Sequence, residues 1–162
     1  MSEPVRTIRT PIRLEYTLTA GRAQSRFLRG IAQGRIIGQR CPECQRVTVP
    51  PRGACATCGV PTEEDVELSD KGTVAAFCIV NLPFAGQRID IPYVCASVLL
   101  DGADIPLFHL IQEVPADEVR MGMRVEAVWA APEDRGPTLE SIRHFRPTDE
   151  PDAPFESYKE HL

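Results

Sequence analysis

Six cysteines carry the most chemistry in this chain, and four of them stand in two pairs, Cys41-Pro42-Glu43-Cys44 and Cys55-Ala56-Thr57-Cys58, ten residues apart. In a C-x-x-C turn both sulfurs can point at one ion while backbone amides face the thiolates. Two such turns joined by a short ribbon complete a tetrahedral four-thiolate site. Val47-Thr48-Val49-Pro50-Pro51 lies between the turns and is long enough to form that ribbon, and Pro42 and Gly59 suit the local geometry. The expected ligands are Cys41, Cys44, Cys55 and Cys58. The expected ion is Zn²⁺, with iron the less favoured rival, because a rubredoxin-type site of four thiolates holds either. Four protein thiolates fill the coordination sphere, so the expected role is structural, and the metal adds directly to the folding free energy of a small module. A redox dithiol would need one C-x-x-C beside a βαβ unit, which this pattern lacks. Two disulfides would suit a secreted scaffold. The opening MSEPVRTIRTPIRLEY has neither a continuous apolar stretch nor a small-residue cleavage pattern, so a cytoplasmic location and reduced thiols are expected.

The remaining candidates are weaker. Cys78 and Cys95 sit inside apolar runs (FCIV and YVCASV), which predicts buried, reduced cysteines acting as small hydrophobes. His109 has apolar neighbours, Phe108 and Leu110, and reads as a core or edge histidine. His144 stands at a strand end and His161 near the C-terminus. Asp101 and Asp104 are better explained by a turn than as an acid–base pair, and Trp129 is expected in the core. The sequence contains no G-x-G-x-x-G after a strand, no P-loop lysine motif, no G-x-S-x-G and no H-E-x-x-H. No catalytic residue is assigned.

The elements that must position the cysteines follow from pattern. Residues 1–18, with Pro4 and Pro11, read as an N-terminal arm. Residues 19–34 read as a helix with Thr19 as N-cap; Ala20, Ala23, Phe27, Leu28 and Ile31 form one apolar stripe, and Gly34 stops it. Residues 35–66 form the zinc ribbon, with a short strand at 35–40 and its return at 47–49; the acidic stretch from Glu63 to Asp70 ends in a turn at Asp70-Lys71-Gly72. Residues 67–146 change character to β. Thr73–Asn81, Tyr93–Asp101, Ile105–Ile111, Arg124–Ala130 and Thr138–Phe145 are five strand-like runs, with a tight hairpin at residues 101–104 and a helical turn at Pro115–Met121. Five short strands without crossover helices predict an OB-fold barrel. Residues 147–162 read as an acidic, Pro-rich tail, extended and ordered on a partner. The fold class is therefore mainly β: an N-terminal helix, a rubredoxin-like zinc ribbon and a five-stranded OB-fold barrel.

At 162 residues, 43% hydrophobic and 25% charged, the chain suits one domain or two small modules and is neither collagen-like nor wholly disordered. No apolar run approaches the roughly 20 residues that cross a bilayer. The net charge of −5 hides an asymmetry: residues 1–52 carry ten arginines, no lysine and three acids, whereas the rest carries 8 basic and 20 acidic residues. Such a split points to an acidic or phosphate-bearing partner, or to arginines that neutralise the acidic remainder of the same molecule.

Taken in order, a helix ending in Gly34-Arg35-Ile36, then Arg40 with Cys-Pro-x-Cys, then Val49-Pro50-Pro51-Arg52, then Cys-x-x-Cys with Gly59, resembles the rubredoxin-like zinc-ribbon plus OB-fold family of acyl-CoA-associated proteins (domain of unknown function 35). Lys71-Gly72-Thr73-Val74, Pro92-Tyr93-Val94, Leu100 to Asp104 and Gly122-Met123-Arg124-Val125 look like its OB half, so the likeness covers residues 19–146. Gln45 stands where the family often has Gly. The resemblance implies a non-catalytic accessory partner of thiolase-like enzymes: lipid-transfer-type thiolases, acyltransferases, hydroxymethylglutaryl-CoA synthases, or an aldolase of steroid side-chain degradation. In such a hetero-oligomer the catalytic residues belong to the partner, and this chain supports its fold or borders a shared acyl-CoA channel. The rival readings are a nucleic-acid binder, which zinc ribbons and OB-folds both serve, and a free-standing acyl-CoA carrier. Residues 73–146 carry 6 basic against 10 acidic residues, which weighs against nucleic acid.

Overall fold

The computed structural model describes residues 14–162, so the expected arm lies outside the described residues up to position 13. The first element is helix α1, Arg22–Ala32. It begins later than expected: Gly21, not Thr19, is the N-cap, and no side chain caps it. Ala23, Phe27, Gly30 and Ile31 are its buried residues, an i, i+4, i+7, i+8 stripe. Gly34, at φ 75°, closes the helix: its N–H donates to Ile31 O (3.0 Å) and Arg35 N–H to Gly30 O (2.9 Å), the paired bonds of a Schellman motif. Gly30 inside the helix is a packing requirement. A Cβ there would lie 2.7 Å from Ile37 Cγ1, so the helix approaches the first strand closely.

Three strands make the ribbon sheet: β1 (Ile36–Arg40), β2 (Val47–Thr48) and β3 (Glu64–Leu68), in the order β2-β1-β3, all antiparallel. The acidic stretch read from sequence only as a lead-in to a turn is thus a strand. Its charges have partners on the basic elements beside it: Asp65 with Arg26 (3.2 Å), Glu67 with Arg35 (3.3 Å) and Glu64 with Arg40 (3.2 Å). These pairs are exposed and contribute little each; the ladder with β1 gives β3 its place, and the pairs neutralise three of the N-terminal arginines within the molecule.

After Ser69 and Asp70 the chain enters a barrel of β4 (Lys71–Val80), β5 (Tyr93–Leu100), β6 (Leu107–Ile111), β7 (Arg124–Trp129) and β8 (Ile142–Pro147). The order β4-β5-β6-β8-β7 closes through β4–β7, with β6 and β8 parallel at Ile111↔Phe145 and every other pairing antiparallel. The barrel is closed, five-stranded and mixed, as the OB-fold reading requires. Residues 139–141, assigned by pattern to the last strand, form a short 3-10 turn on which α1 packs.

One apolar cluster runs through all of it. Phe27 and Ile31 from α1, Ile36, Val47 and Val49 from the ribbon, and Val74, Val98, Leu100, Val125, Ile142 and Phe145 from the barrel are buried together. Two backbone-level bonds add to this join: Val47 N–H donates to Asp104 Oδ2 (2.8 Å) and Asp104 N–H to Val47 O (2.9 Å), so the β5–β6 turn docks on the ribbon.

The acidic tail is not left extended for a partner. Tyr158 is buried on Ala75 and Leu99, Ala153 N–H donates to Gly122 O (2.8 Å), and Glu150 and Asp152 pair with Lys71, Arg124 and Arg120. Its charges serve the barrel's own cations, a match between positions too far apart in sequence for composition to reveal.

Candidate metal centre

The two C-x-x-C segments fold as a matched pair. Cys41 directly follows β1; its N–H donates to Arg46 O (2.9 Å), and Gln45 N–H returns to Cys41 O (3.0 Å). In the second turn Cys55 N–H donates to Val60 O (2.9 Å) and Gly59 N–H to Cys55 O (2.9 Å). The fourth residue after the first cysteine takes a left-handed conformation in both, Gln45 at φ 63° and Gly59 at φ 71°. Gln45 accepts what glycine adopts freely, and its side-chain amide donates to Pro42 O (2.9 Å) across the turn. Arg46 ties one turn to the other through Thr57 Oγ1 (3.4 Å).

This pairing brings Cys41, Cys44, Cys55 and Cys58 together, all four sulfurs within 4.8 Å of one another and Cys44 Sγ to Cys55 Sγ at 3.7 Å. Zn–S bonds of about 2.3 Å in a tetrahedron place sulfurs about 3.8 Å apart, so the set fits a four-coordinate ion. Cys41 and Cys55 are buried, Cys44 half-buried and Cys58 exposed, which puts the site at the ribbon's tip with one side toward solvent.

The electrostatics also fit a cation. The backbone N–H groups of Cys58 and Thr57 face Cys55 and hold its thiol down at about 6. Cys58, beside Cys44 and its two other sulfur neighbours, is pushed up to about 12. Sulfurs this close cannot all ionise on their own; a divalent cation among them removes that conflict. Behind the turns a small polar cluster is fully satisfied: buried Gln39 donates to Asp65 Oδ1 (3.1 Å) and accepts from Thr62 Oγ1 (3.1 Å). Sequence reasoning missed this cluster, since only the β1–β3 pairing (Gln39↔Asp65) brings its members together.

The other sequence candidates lie elsewhere. Cys78 is exposed and Cys95 half-buried, which corrects their expected burial. Both point outward from the barrel, because the alternate residues Val94 and Ala96 occupy the inside. His109 packs edge-on to Phe145 (5.7 Å), and burial holds it below the usual histidine range. His144 pairs with Glu113 (2.8 Å) and His161 with Asp104 O (2.8 Å). Trp129 is only half-buried, its ring under the Arg135 guanidinium at 5.4 Å.

Comparison with known proteins agrees with this architecture. Residues 29–64 match the family model of the rubredoxin-like zinc ribbon domain of ChsH2, and residues 65–130 that of the ChsH2 C-terminal OB-fold domain. A DUF35 domain-containing scaffold protein of Methanocaldococcus jannaschii is 36% identical over 96 residues, 58% of this chain and 67% of the relative. A probable enoyl-CoA hydratase alpha subunit of Thermomonospora curvata is 30% identical over 97 residues, 60% of this chain and 30% of that protein. Among solved structures, an Ltp2–ChsH2(DUF35) aldolase superposes with a TM-score of 0.60 at 25% identity, over 81% of this chain and 98% of the other.

Proposed function

Because this chain belongs to the DUF35 family of zinc-ribbon and OB-fold proteins, we propose that it is a non-catalytic, zinc-bearing subunit of a thiolase-like acyl-CoA enzyme. The observation that carries the proposal is the superposition of ribbon and barrel together on nearly the whole of a chain from the Ltp2–ChsH2(DUF35) aldolase. The relatives named as scaffold proteins and as an enoyl-CoA hydratase subunit support the same class of role.

On this reading Cys41, Cys44, Cys55 and Cys58 hold Zn²⁺. Four thiolates leave no position for substrate, so the bound metal supplies rigidity to the two turns and takes no part in chemistry on the acyl group. This chain's own residues pass that rigidity inward: Val47 and Val49 lie between the turns and are buried in the common core. The nucleophile and the acid–base groups belong to the partner, which also binds the CoA thioester along a channel this subunit borders. An aldolase that splits a β-hydroxyacyl-CoA, as in steroid side-chain degradation, is the finer assignment.

Affinity purification of the tagged chain from its native cells tests the reading. Recovery of a thiolase homologue in fixed stoichiometry, with one zinc per chain by elemental analysis, is expected. Salt-sensitive nucleic acid with no protein partner would overturn it. Cys41→Ala and Cys58→Ala should each lose the metal and most soluble protein; a folded, partner-bound variant refutes the structural metal.

A further inference from the structure

The pairing of β4 with β5 sets Cys78 directly opposite Cys95, both on the outside of the barrel and far along the strands from the ribbon cysteines. The class of this rung follows from its neighbours. Asp101 N–H donates to Lys71 O, one rung beyond Gly72↔Leu100, and alternate residues along an antiparallel strand share the same pair type. Counting back along β5 therefore puts residues 99, 97 and 95 in the hydrogen-bonded class. The bulge between Val74 and Ala76 adds its residue to β4 and leaves that count unchanged. Opposed residues in this class have Cα atoms about 5.5 Å apart, inside the span a disulfide bridges. Their Cβ atoms start about 1.7 Å farther apart than a relaxed disulfide prefers, so the strands must close slightly to bond, and the product is readily reduced again.

We propose that Cys78 and Cys95 form a reversible surface dithiol–disulfide pair, oxidised by exchange with a low-molecular-weight disulfide. The surroundings select that chemistry. The outward rungs beside the pair are Ala76, Val80, Tyr93, Ser97 and Leu110, with no cation to activate a thiolate for direct attack on peroxide. Cys78 is the more exposed and reacts first; Cys95 keeps its proton longer, because partial burial and the adjacent Cys78 push its thiol up. The Cys78 thiolate attacks one sulfur of the small disulfide and expels the other half as a thiolate, which takes up a proton. Cys95 then gives its proton to solvent and attacks the Cys78 sulfur, releasing the second small thiol. Two protein thiols are oxidised, and one disulfide is reduced to two thiols. The product staples the two strands that flank the 81–92 loop.

The experiment uses the metal-loaded full chain, equilibrated with oxidised glutathione and mapped by mass spectrometry without reduction. The expected product is a linked pair of peptides containing Cys78 and Cys95, two hydrogens lighter than their sum, formed without metal release and reversed by dithiothreitol. Trypsin cleavage after Arg88 should then leave the two halves joined. Cys95→Ser should stop at the mixed disulfide on Cys78, and Cys78→Ser should leave Cys95 mostly unmodified. Wild-type protein that accumulates glutathione on Cys78 with Cys95 still a free thiol overturns the proposal. So does oxidation of the ribbon cysteines ahead of this pair.

Discussion

Phe27→Ala tests whether helix, ribbon and barrel unfold as one body. Phe27 is 1% exposed and belongs to the cluster that includes Val49 of the ribbon and Phe145 of the barrel. Truncating a fully buried Phe costs about 3–5 kcal/mol, the transfer term plus the cavity left behind. With a urea slope of about 2 kcal/mol per molar, the midpoint should fall by about 2 M. For a chain of this size the same loss lowers Tm by roughly 6–20 °C. Two probes separate the modules: Trp129, the only tryptophan, reports on β7, and the thiolate-to-metal absorption of a Co²⁺-substituted site reports on the ribbon. A shared core requires both transitions to move together by the same amount. If the thiolate signal shifts while Trp129 unfolds where it does in the parent, the cores are separate and the reasoning from Phe27 is wrong.

Three further outcomes are expected. Gly34→Ala should cost about 1–2 kcal/mol from the left-handed backbone alone; its Cβ would also lie 2.2 Å from Arg135 Nη1, so part of any excess should vanish in an Arg135→Ala background, a coupling measurable by a double-mutant cycle. Tyr158→Ala should free residues 149–162 while shifting the barrel's urea midpoint little, which faster amide exchange at Ala153 would show against an unchanged Val125. Glu150 is held below the usual carboxylate range by Lys71 and then Arg124, so its contribution to tail docking is complete above about pH 4.5 and lost as pH falls through its lower folded value. Exchange at Ala153 should rise in that acidic window and not in Glu150→Gln.

The cysteine quartet was legible because its geometry is local: four residues per turn, a stop at Gly59, and too little chain between the pairs for another arrangement. The five barrel strands were legible because β-branched runs alternate with turn residues. β3 was not, since only Val66 and Leu68 mark it as a strand and its acids find their cations on α1, on β1 and on Arg35 between them. Cys78 and Cys95 misled because apolar neighbours suggest burial, whereas the face a strand residue takes depends on parity within the closed barrel, and here the outward rungs carry apolar residues such as Ala76, Val80 and Leu110 as well. The tail misled for the converse reason. Its composition is that of a free segment, yet Tyr158 and two acids meet a hydrophobic patch and three cations prepared for them by distant residues.

Only Ser69 and Asp70 separate β3, the last strand of the ribbon sheet, from β4, the first of the barrel. A crossing that short keeps the two sheets side by side, and the shared core and the Val47–Asp104 bonds then hold the ribbon at one orientation to the barrel. It also sets a rule for recombination. A cut made just before residue 65, where the two family models meet, strips the ribbon of most of an edge strand and hands the barrel a useless acidic leader. Chimeras that exchange either half among relatives should therefore succeed only when the graft carries residues 64–70 along with the ribbon.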